Sequence, residues 1–504
     1  MLDKIIYYSF GLLFFLVPLF WSPLNFELFE FNKMILVYFL TVIITGAWAL
    51  KMVNRKSIIV YRTPLDIPLL LFLAANILST IFSIDQHTSI WGYYSRSNGG
   101  LLSIISYLLL YFSFVSNINK EQVFKILKVG LVAGLIISIW GIMEHFGVSL
   151  SCIILRQELN ASCWVQDVSA RVFATLGQPN WLASYLAMLI FPCLYFVLTS
   201  KTRSETIRYT LYAITYYLAF TFTYSRGPTL GLIGGIMIFL LFLSFPRKRE
   251  SILNRSRIQY GMTMVLVSFL VINILFGSAL TSFRLVSKFA APARPSVSIN
   301  TPSSTTQLEA GGTESGQIRL IVWQGAIDIF RHYPILGTGV ETFAYSYYQY
   351  RPVAHNLVSE WDFLYNKAHN EFLNYLANTG IVGFGTYLLV IGVFILWALK
   401  FVIARNEVTK QSTLLVSAFL ASYVSYHVSN FFGFSVVVTA LFFFLFPALA
   451  FVSTSSIKPY TTNHIPLTIL FRFPKVTKLF LLVSIFYLLF SIFKLWYTDT
   501  IFAI

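Results

Sequence analysis

Apolar runs of about 20 residues recur along this chain, each long enough to cross roughly 30 Å of hydrocarbon as a helix. Inside hydrocarbon every backbone N–H and C=O must be satisfied within its own segment, so such runs fold as spanning helices. Thirteen are legible, near 5–21, 33–53, 67–84, 99–117, 126–147, 179–199, 208–224, 228–245, 259–280, 372–399, 411–431, 434–453 and 479–497. Composition agrees: of 504 residues 57% are hydrophobic and only 11% charged, with a mean hydropathy of +0.72, far from the balance of a soluble domain. The expected fold class is an all-α polytopic membrane protein with about 12–13 transmembrane helices.

A net charge of +16 raises the question of nucleic acid, which the distribution of that charge answers. Lys51, Arg55, Lys56 and Arg62, then Arg247, Lys248, Arg249, Arg255 and Arg257, then Arg472, Lys475 and Lys478 fall on one side of the span map. The short loops therefore place that side in the cytoplasm, with the N-terminus, and the long loops 148–178 and 281–371 outside. The basic balance reads as topology, with membrane lipids as partners and no nucleic acid. The first apolar run lacks a small-residue cleavage site and continues into Glu27 and Glu30, so it reads as a retained helix. Cys152 and Cys163 share an external loop, where either a disulfide or two free thiols would fit; Cys193 sits in an apolar helix as packing.

Between Thr281 and Glu371 the rhythm of spans breaks. The Pro/Ser/Thr/Gly-rich stretch from Ala290 to Gly316 has too little apolar surface to fold alone and reads as a linker. From Gln317 to Tyr333, Ile318, Ile321, Val322, Gly325, Ala326, Ile329 and Phe330 recur at helical spacing, which predicts an amphipathic helix stopped by Pro334 and the turn Gly337-Thr338-Gly339. The aromatic run Tyr345, Tyr347, Tyr348 and Tyr350 suits a membrane interface first and sugar stacking second.

Several chemistries are absent from the pattern: no phosphate loop ending in Lys-Ser/Thr, no paired-cysteine metal motif and no HExxH. Spans almost without carboxylates argue against a proton-coupled transporter and for chemistry at the external boundary. There His369-Asn370 is followed by nine residues and then Gly380-Ile381-Val382-Gly383. On a continuous helix Gly380 would share a face with His369, about 16 Å deeper, so that small residues could pack on a neighbour and fix the histidine. Asn370, Asn374 and Asn378 would form a second, polar stripe.

This pattern of His, Asn, nine residues and Gly-x-x-Gly resembles the signature of the bacterial O-antigen ligase family, which includes O-antigen polymerases and protein O-oligosaccharyltransferases. His355-Asn356 is an internal control, because at the same spacing it meets Asn366 and no glycine. Phe173 through Asn180, Tyr224-Ser225-Arg226-Gly227 and Arg319 through Gly339 resemble the family too, as more weakly do Trp91-Gly92, Arg96 and Gly99-Gly100. The resemblance divides the chain into an N-terminal section 1–170, a core 171–400 that includes loop 281–371, and a C-terminal section 401–504. It implies a glycosyltransferase-C-like transferase of the bacterial inner membrane with its site facing the exterior. The donor would be a glycan on undecaprenyl pyrophosphate and the acceptor a lipid A core, another glycan or a protein; no cofactor is expected. A lipid-linked sugar flippase or transporter is the reading outside this class, but it would call for a charged cavity through the bundle rather than a histidine at one helix mouth. The family has about twelve spans with both ends inside, whereas a thirteenth here would put Asp499 and Ile504 outside.

Two arginines have a physical case of their own. Arg226 sits in a short break between spans, with Pro228 suiting the first turn of the next helix, whose N-terminus favours an anion. Arg319 falls on the apolar side of the amphipathic helix, where a guanidinium needs an anionic partner, either a substrate phosphate or a neighbour such as Glu341. Arg331 falls on the solvated side. The expected catalytic set is His369, Arg226 and Arg319, with an imidazole of ordinary proton affinity acting as base and arginines in place of a metal ion.

Overall fold

The computed structural model describes residues 1–160, 163, 164, 166–244, 252–280, 315–403, 410–454, 458–461 and 474–503. Arg247, Lys248, Arg249, Arg472 and nearly all of the linker 290–316 lie outside the described residues. In chain order the helices are α1 (Leu2–Leu19), α2 (Glu30–Arg55), α3 (Asp66–Ile81), α4 (Gln86–Trp91), α5 (Leu101–Asn117), α6 (Lys120–His145), α7 (Leu150–Arg156), α8 (Pro179–Thr199) and α9 (Arg203–Phe222). They continue as α10 (Arg226–Ser244), α11 (Ile252–Phe276), α12 (Ser315–His332), α13 (Phe343–Tyr350), α14 (Glu371–Ile403), α15 (Lys410–Phe431), α16 (Val437–Ser453) and α17 (Pro474–Ala503). Two short strands, β1 (Ile59–Arg62) and β2 (Lys458–Thr461), complete the described elements together with two single 3-10 turns.

Each of the thirteen apolar runs falls on a helix, so the chain is an all-α polytopic membrane protein. Among the described residues seven helices are long and apolar enough to cross a membrane, namely α1, α2, α6, α8, α10, α14 and α17, and four shorter ones are apolar. Of the remaining two, α15 is polar because it is enclosed by protein: Ser417, Ser422, Ser425 and Ser429 are buried, and Ser422 donates to the carbonyl of Met188 at 2.7 Å. A helix that meets other helices rather than lipid can carry hydroxyls, and Ser417 and Ser429, like Ser422, find backbone acceptors. The polarity of α9 lies in its first turns, where Arg203, Glu205 and Arg208 stand and Thr202 caps the amide of Glu205.

The two strands pair antiparallel, Val60 opposite Tyr460, which brings the basic segment after α2 and the segment before α17 to one end of the bundle. At the other end Asn25 donates to Asp499 (2.9 Å) and Thr500 (3.1 Å), and Trp496 donates to Asn32 (2.8 Å). The thirteenth helix therefore runs the length of α2 and ends beside the loop that follows α1. Gly46 lets it approach, since a side chain there would overlap Ile485.

One expectation is corrected. The helix that starts after His369 is not continuous through the glycine pair: Gly380 adopts φ 59°, ψ −165°, and α14 is two helices joined at a kink. A side chain at Gly380 would stand 2.3 Å from the carbonyl oxygen of Ile335. The freed amides are taken by the turn that ends α12, with Ile381 donating to Pro334 (2.9 Å) and Val382 to Ile335 (3.2 Å). In return Thr338 and Gly339 donate to the carbonyls of Ala377 (3.2 Å) and Asn378 (2.9 Å). The spacing arithmetic assumed an unbroken helix; the glycine instead admits a second backbone segment into it.

The loop after α6 carries the Cys152–Cys163 disulfide, while Cys193 is buried in α8. Glu144 at the end of α6 accepts the amides of Phe173 (3.2 Å) and Ala174 (2.8 Å), and the wholly buried Lys33 donates to the carbonyl of Thr175 (2.7 Å). These contacts hold the stretch leading into α8.

Candidate functional site

His369 sits two residues before α14, at the end of the bundle away from the strands. Asn370 accepts the amides of Phe372 (3.0 Å) and Leu373 (3.1 Å), capping the helix start, and Asn374 accepts the amide of Ala368 (3.2 Å). The polar residues that read as a stripe thus hold the histidine's own backbone. His369 itself has φ 52°, a left-handed conformation that such bracing sustains. Its partly buried ring meets two aromatic edges, Tyr365 at 5.3 Å and Phe434 at 5.2 Å between centroids. Phe434 is steadied by carboxylates on either side, Glu371 accepting the amide of Ser435 (3.0 Å) and the buried Glu30 that of Val437 (2.7 Å).

Helix α12 buries Ile318, Val322, Gly325, Ala326 and Ile329, the stripe expected from sequence. Arg319 beside that stripe is partly buried, whereas Arg331 has a side chain 71% exposed and paired with Asp328 at 2.9 Å. Glu341 is bound by Lys367, so it is not the counter-ion of Arg319. That place is nearer to Glu360, which raises the proton affinity of Arg319 and in turn accepts the hydroxyl of Tyr365. Arg226, the exposed first residue of α10, follows Tyr224, whose φ of 48° turns the chain out of α9. Burial lowers the proton affinity of Arg319, Glu360 opposes this, and the charge of Arg226 lowers it further, so the two arginines lie within reach of one another's field.

The structure brings His369 into the same field. Burial, then the charge of Arg319, then that of Arg96 push the imidazole down to about 3, well below the ordinary histidine expected from sequence. The imidazole is neutral at physiological pH, because desolvation and two cations both disfavour its charged form. Sequence reading assigned no role to Arg96. Its guanidinium lies over the rings of Trp181 (5.1 Å) and Phe434 (5.3 Å), and the Phe434 ring also meets that of His369. An arginine in a short loop closed by Gly92 and Gly99-Gly100 was the available signal.

His355, which fails the glycine spacing, is fully buried with both nitrogens engaged, Nδ1 with the Tyr347 hydroxyl (2.6 Å) and Nε2 with the carbonyl of Glu360 (3.2 Å). It is a packing histidine that holds the loop carrying Glu360. Beneath the site lies a cavity of about 50 Å³, lined by polar groups such as Glu341, Lys367, Glu371 and Asn374 and by apolar ones such as Phe443 and Phe444. That volume suits a few water molecules and excludes a sugar ring, so the cavity supports the site from below. Among the described residues no group of three or more His, Cys, Asp and Glu is placed to ligate a metal ion.

Fold and site together define a polytopic membrane protein in which a histidine at one end of a helical bundle lies in the field of Arg319 and Arg96. Residues 210–388 match a family model described as O-antigen ligase, so over that stretch the chain is similar to the O-antigen ligase family. The match contains Arg226, Arg319, His369 and the Gly380–Gly383 pair. A comparison with curated proteins finds no match.

Proposed function

We propose that this protein transfers a glycan from undecaprenyl pyrophosphate to an acceptor hydroxyl on the external face of the bacterial inner membrane, inverting the anomeric carbon and using no metal ion. What supports this reading is that Arg319 feels the charge of Arg226 and His369 that of Arg319, within a stretch that matches the O-antigen ligase family model.

The chemistry follows from charge. The guanidiniums of Arg226 and Arg319 hold the pyrophosphate by charge-assisted hydrogen bonds and stabilise the negative charge that grows as it leaves. The bond between the anomeric carbon and the phosphate oxygen breaks, its electron pair leaving with the pyrophosphate. The acceptor oxygen bonds to that carbon from the opposite face, and its proton passes to Nε2 or Nδ1 of His369. An imidazole held near 3, chiefly by burial, is a weak base, and the donor relieves part of that depression. An anionic pyrophosphate seated on the arginines opposes their share of the effect on His369, which is smaller than that of burial, so the base strengthens in part as the donor binds.

Purified full-length protein in proteoliposomes, given lipid-linked glycan and candidate acceptors, tests the reading. Transfer with inversion that survives EDTA and is lost in His369→Ala, Arg226→Ala and Arg319→Ala is the expected result. Activity abolished by chelation and restored by magnesium or manganese would remove the metal-free mechanism. Full activity in all three variants would remove the site.

A further inference from the structure

We propose that Arg96 is a third anion-binding cation of this site, taking a phosphoryl or carboxylate group of a substrate on the Phe434 side of His369. The loop that carries it is built to hold it still. Gly100 approaches Gly92 so closely that a side chain would stand 2.3 Å from the Gly92 amide nitrogen, which closes residues 92–100 into a tight loop. The amides of Arg96 and Ser97 both donate to the carbonyl of Tyr93, at 2.9 and 3.0 Å, and Tyr38 donates to the carbonyl of Ser97 at 3.0 Å.

The guanidinium at the tip of this loop is flanked by rings rather than paired. Trp181 and Phe434, set edge to face with centroids 6.1 Å apart, meet it at 5.1 and 5.3 Å, an arrangement that stabilises a cation. Nη1 is enclosed and makes no hydrogen bond among the described residues. A buried charged donor without an acceptor is costly, and a planar fork is matched by the two oxygens of a phosphoryl or carboxylate group.

A purely structural role as counter-charge to Glu27 and Glu30 is the competing account. Glu27, however, is already bound by the amides of Phe29 (3.2 Å) and Phe31 (2.7 Å), and Glu30 by that of Val437 (2.7 Å). Lys33 acts on both carboxylates more strongly than Arg96 does. Arg96 and His369 meet the same ring, that of Phe434, and the charge of Arg96 is felt at the imidazole.

The ligand's identity rests on the glycan-transfer reading, so the test separates the two. Purified full-length protein in detergent would be titrated calorimetrically with undecaprenyl pyrophosphate and with glucose 6-phosphate, comparing wild type, Arg96→Gln, Arg96→Lys and Arg319→Gln, with a thermal melt of each. The expected result is a loss of about 10- to 100-fold in affinity for one probe in Arg96→Gln, partly recovered in Arg96→Lys, at an unchanged melting temperature. Weakened undecaprenyl pyrophosphate assigns the group to the donor; weakened glucose 6-phosphate assigns it to a phosphorylated acceptor. Arg96→Gln within twofold of wild type for both probes overturns the inference, and if Arg319→Gln has meanwhile lost the carrier, the proposed function stands without it. Equal losses in Arg96→Gln and Arg96→Lys with a lowered melting temperature make Arg96 structural and also overturn it. Wild type that binds neither probe overturns both.

Discussion

The amide of Ile381 donates to the carbonyl of Pro334 at 2.9 Å, across a helix that Gly380 has broken. Through this bond the end of α12, which carries Arg319, is stitched to α14, which His369 precedes. The glycine motif and the Pro334–Gly339 turn are two halves of one device that sets the arginine against the histidine.

Alanine at Gly380 should therefore damage the site from a distance. A positive φ with extended ψ costs a side chain about 1–3 kcal/mol, before the overlap with the Ile335 carbonyl is counted. Gly380→Ala is expected to lower the melting temperature and to cut transfer at least tenfold, a loss of about 1.4 kcal/mol or more in transition-state stabilisation. Gly385, in the same helix with nothing within 4 Å of a built side chain, is the control, and Gly385→Ala should be neutral or slightly stabilising. Equal effects at 380 and 385 in the thermal melt would contradict the account.

The two histidines should separate cleanly. Loss of a general base costs about 10²–10⁴ in rate, so His369→Ala should insert and fold normally yet transfer almost nothing. His355→Ala removes two hydrogen bonds in the loop that carries Glu360 and should lower stability while keeping most of the activity. A ranking reversed in a glycan-transfer assay would sink the assignment.

The arginines of α12 make a second pair. Arg319→Ala should cost about 2–4 kcal/mol, or 30- to 1000-fold in rate, by removing a contact to the leaving pyrophosphate. Arg331→Ala, exposed beside Asp328, should cost little. Lysine at 319 keeps the charge without the planar fork and should recover part of the activity. Because Arg226 is proposed to hold the same pyrophosphate, the double alanine variant should fall short of the sum of the singles. Equal, small effects at 319 and 331 would move phosphate binding elsewhere.

The pH profiles should differ between free and donor-bound protein. With His369 held near 3, the free protein keeps a neutral imidazole throughout the physiological range, so kcat/KM for the donor should show no acid limb from this residue near 6.5. Once the pyrophosphate opposes the arginines the folded-state value rises, and kcat should fall on acidification at a higher pH than kcat/KM does. Profiles of both constants between pH 4 and 8 check this. Coincident acid limbs near 6.5 would mean that neither burial nor the arginines hold the histidine down.

What sequence alone determined is what depends on local periodicity. Thirteen apolar runs became helices because each satisfies its own backbone, and the wheel separated Arg319 from Arg331 because both lie on one short unbroken helix. The position of His369 at a helix mouth followed from the same local logic. Tertiary structure alone decided what depends on approach between distant segments. The break at Gly380 exists because the Pro334–Ile335 backbone arrives to take the freed amides, and no periodicity records that arrival. Arg96 reaches the site only because Trp181 and Phe434, from other parts of the chain, close over it. The proton affinity of His369 departs from its ordinary value for the same reason: desolvation and the fields of Arg319 and Arg96 are sums over neighbours in space, and those neighbours stand 50 and 273 residues away in sequence.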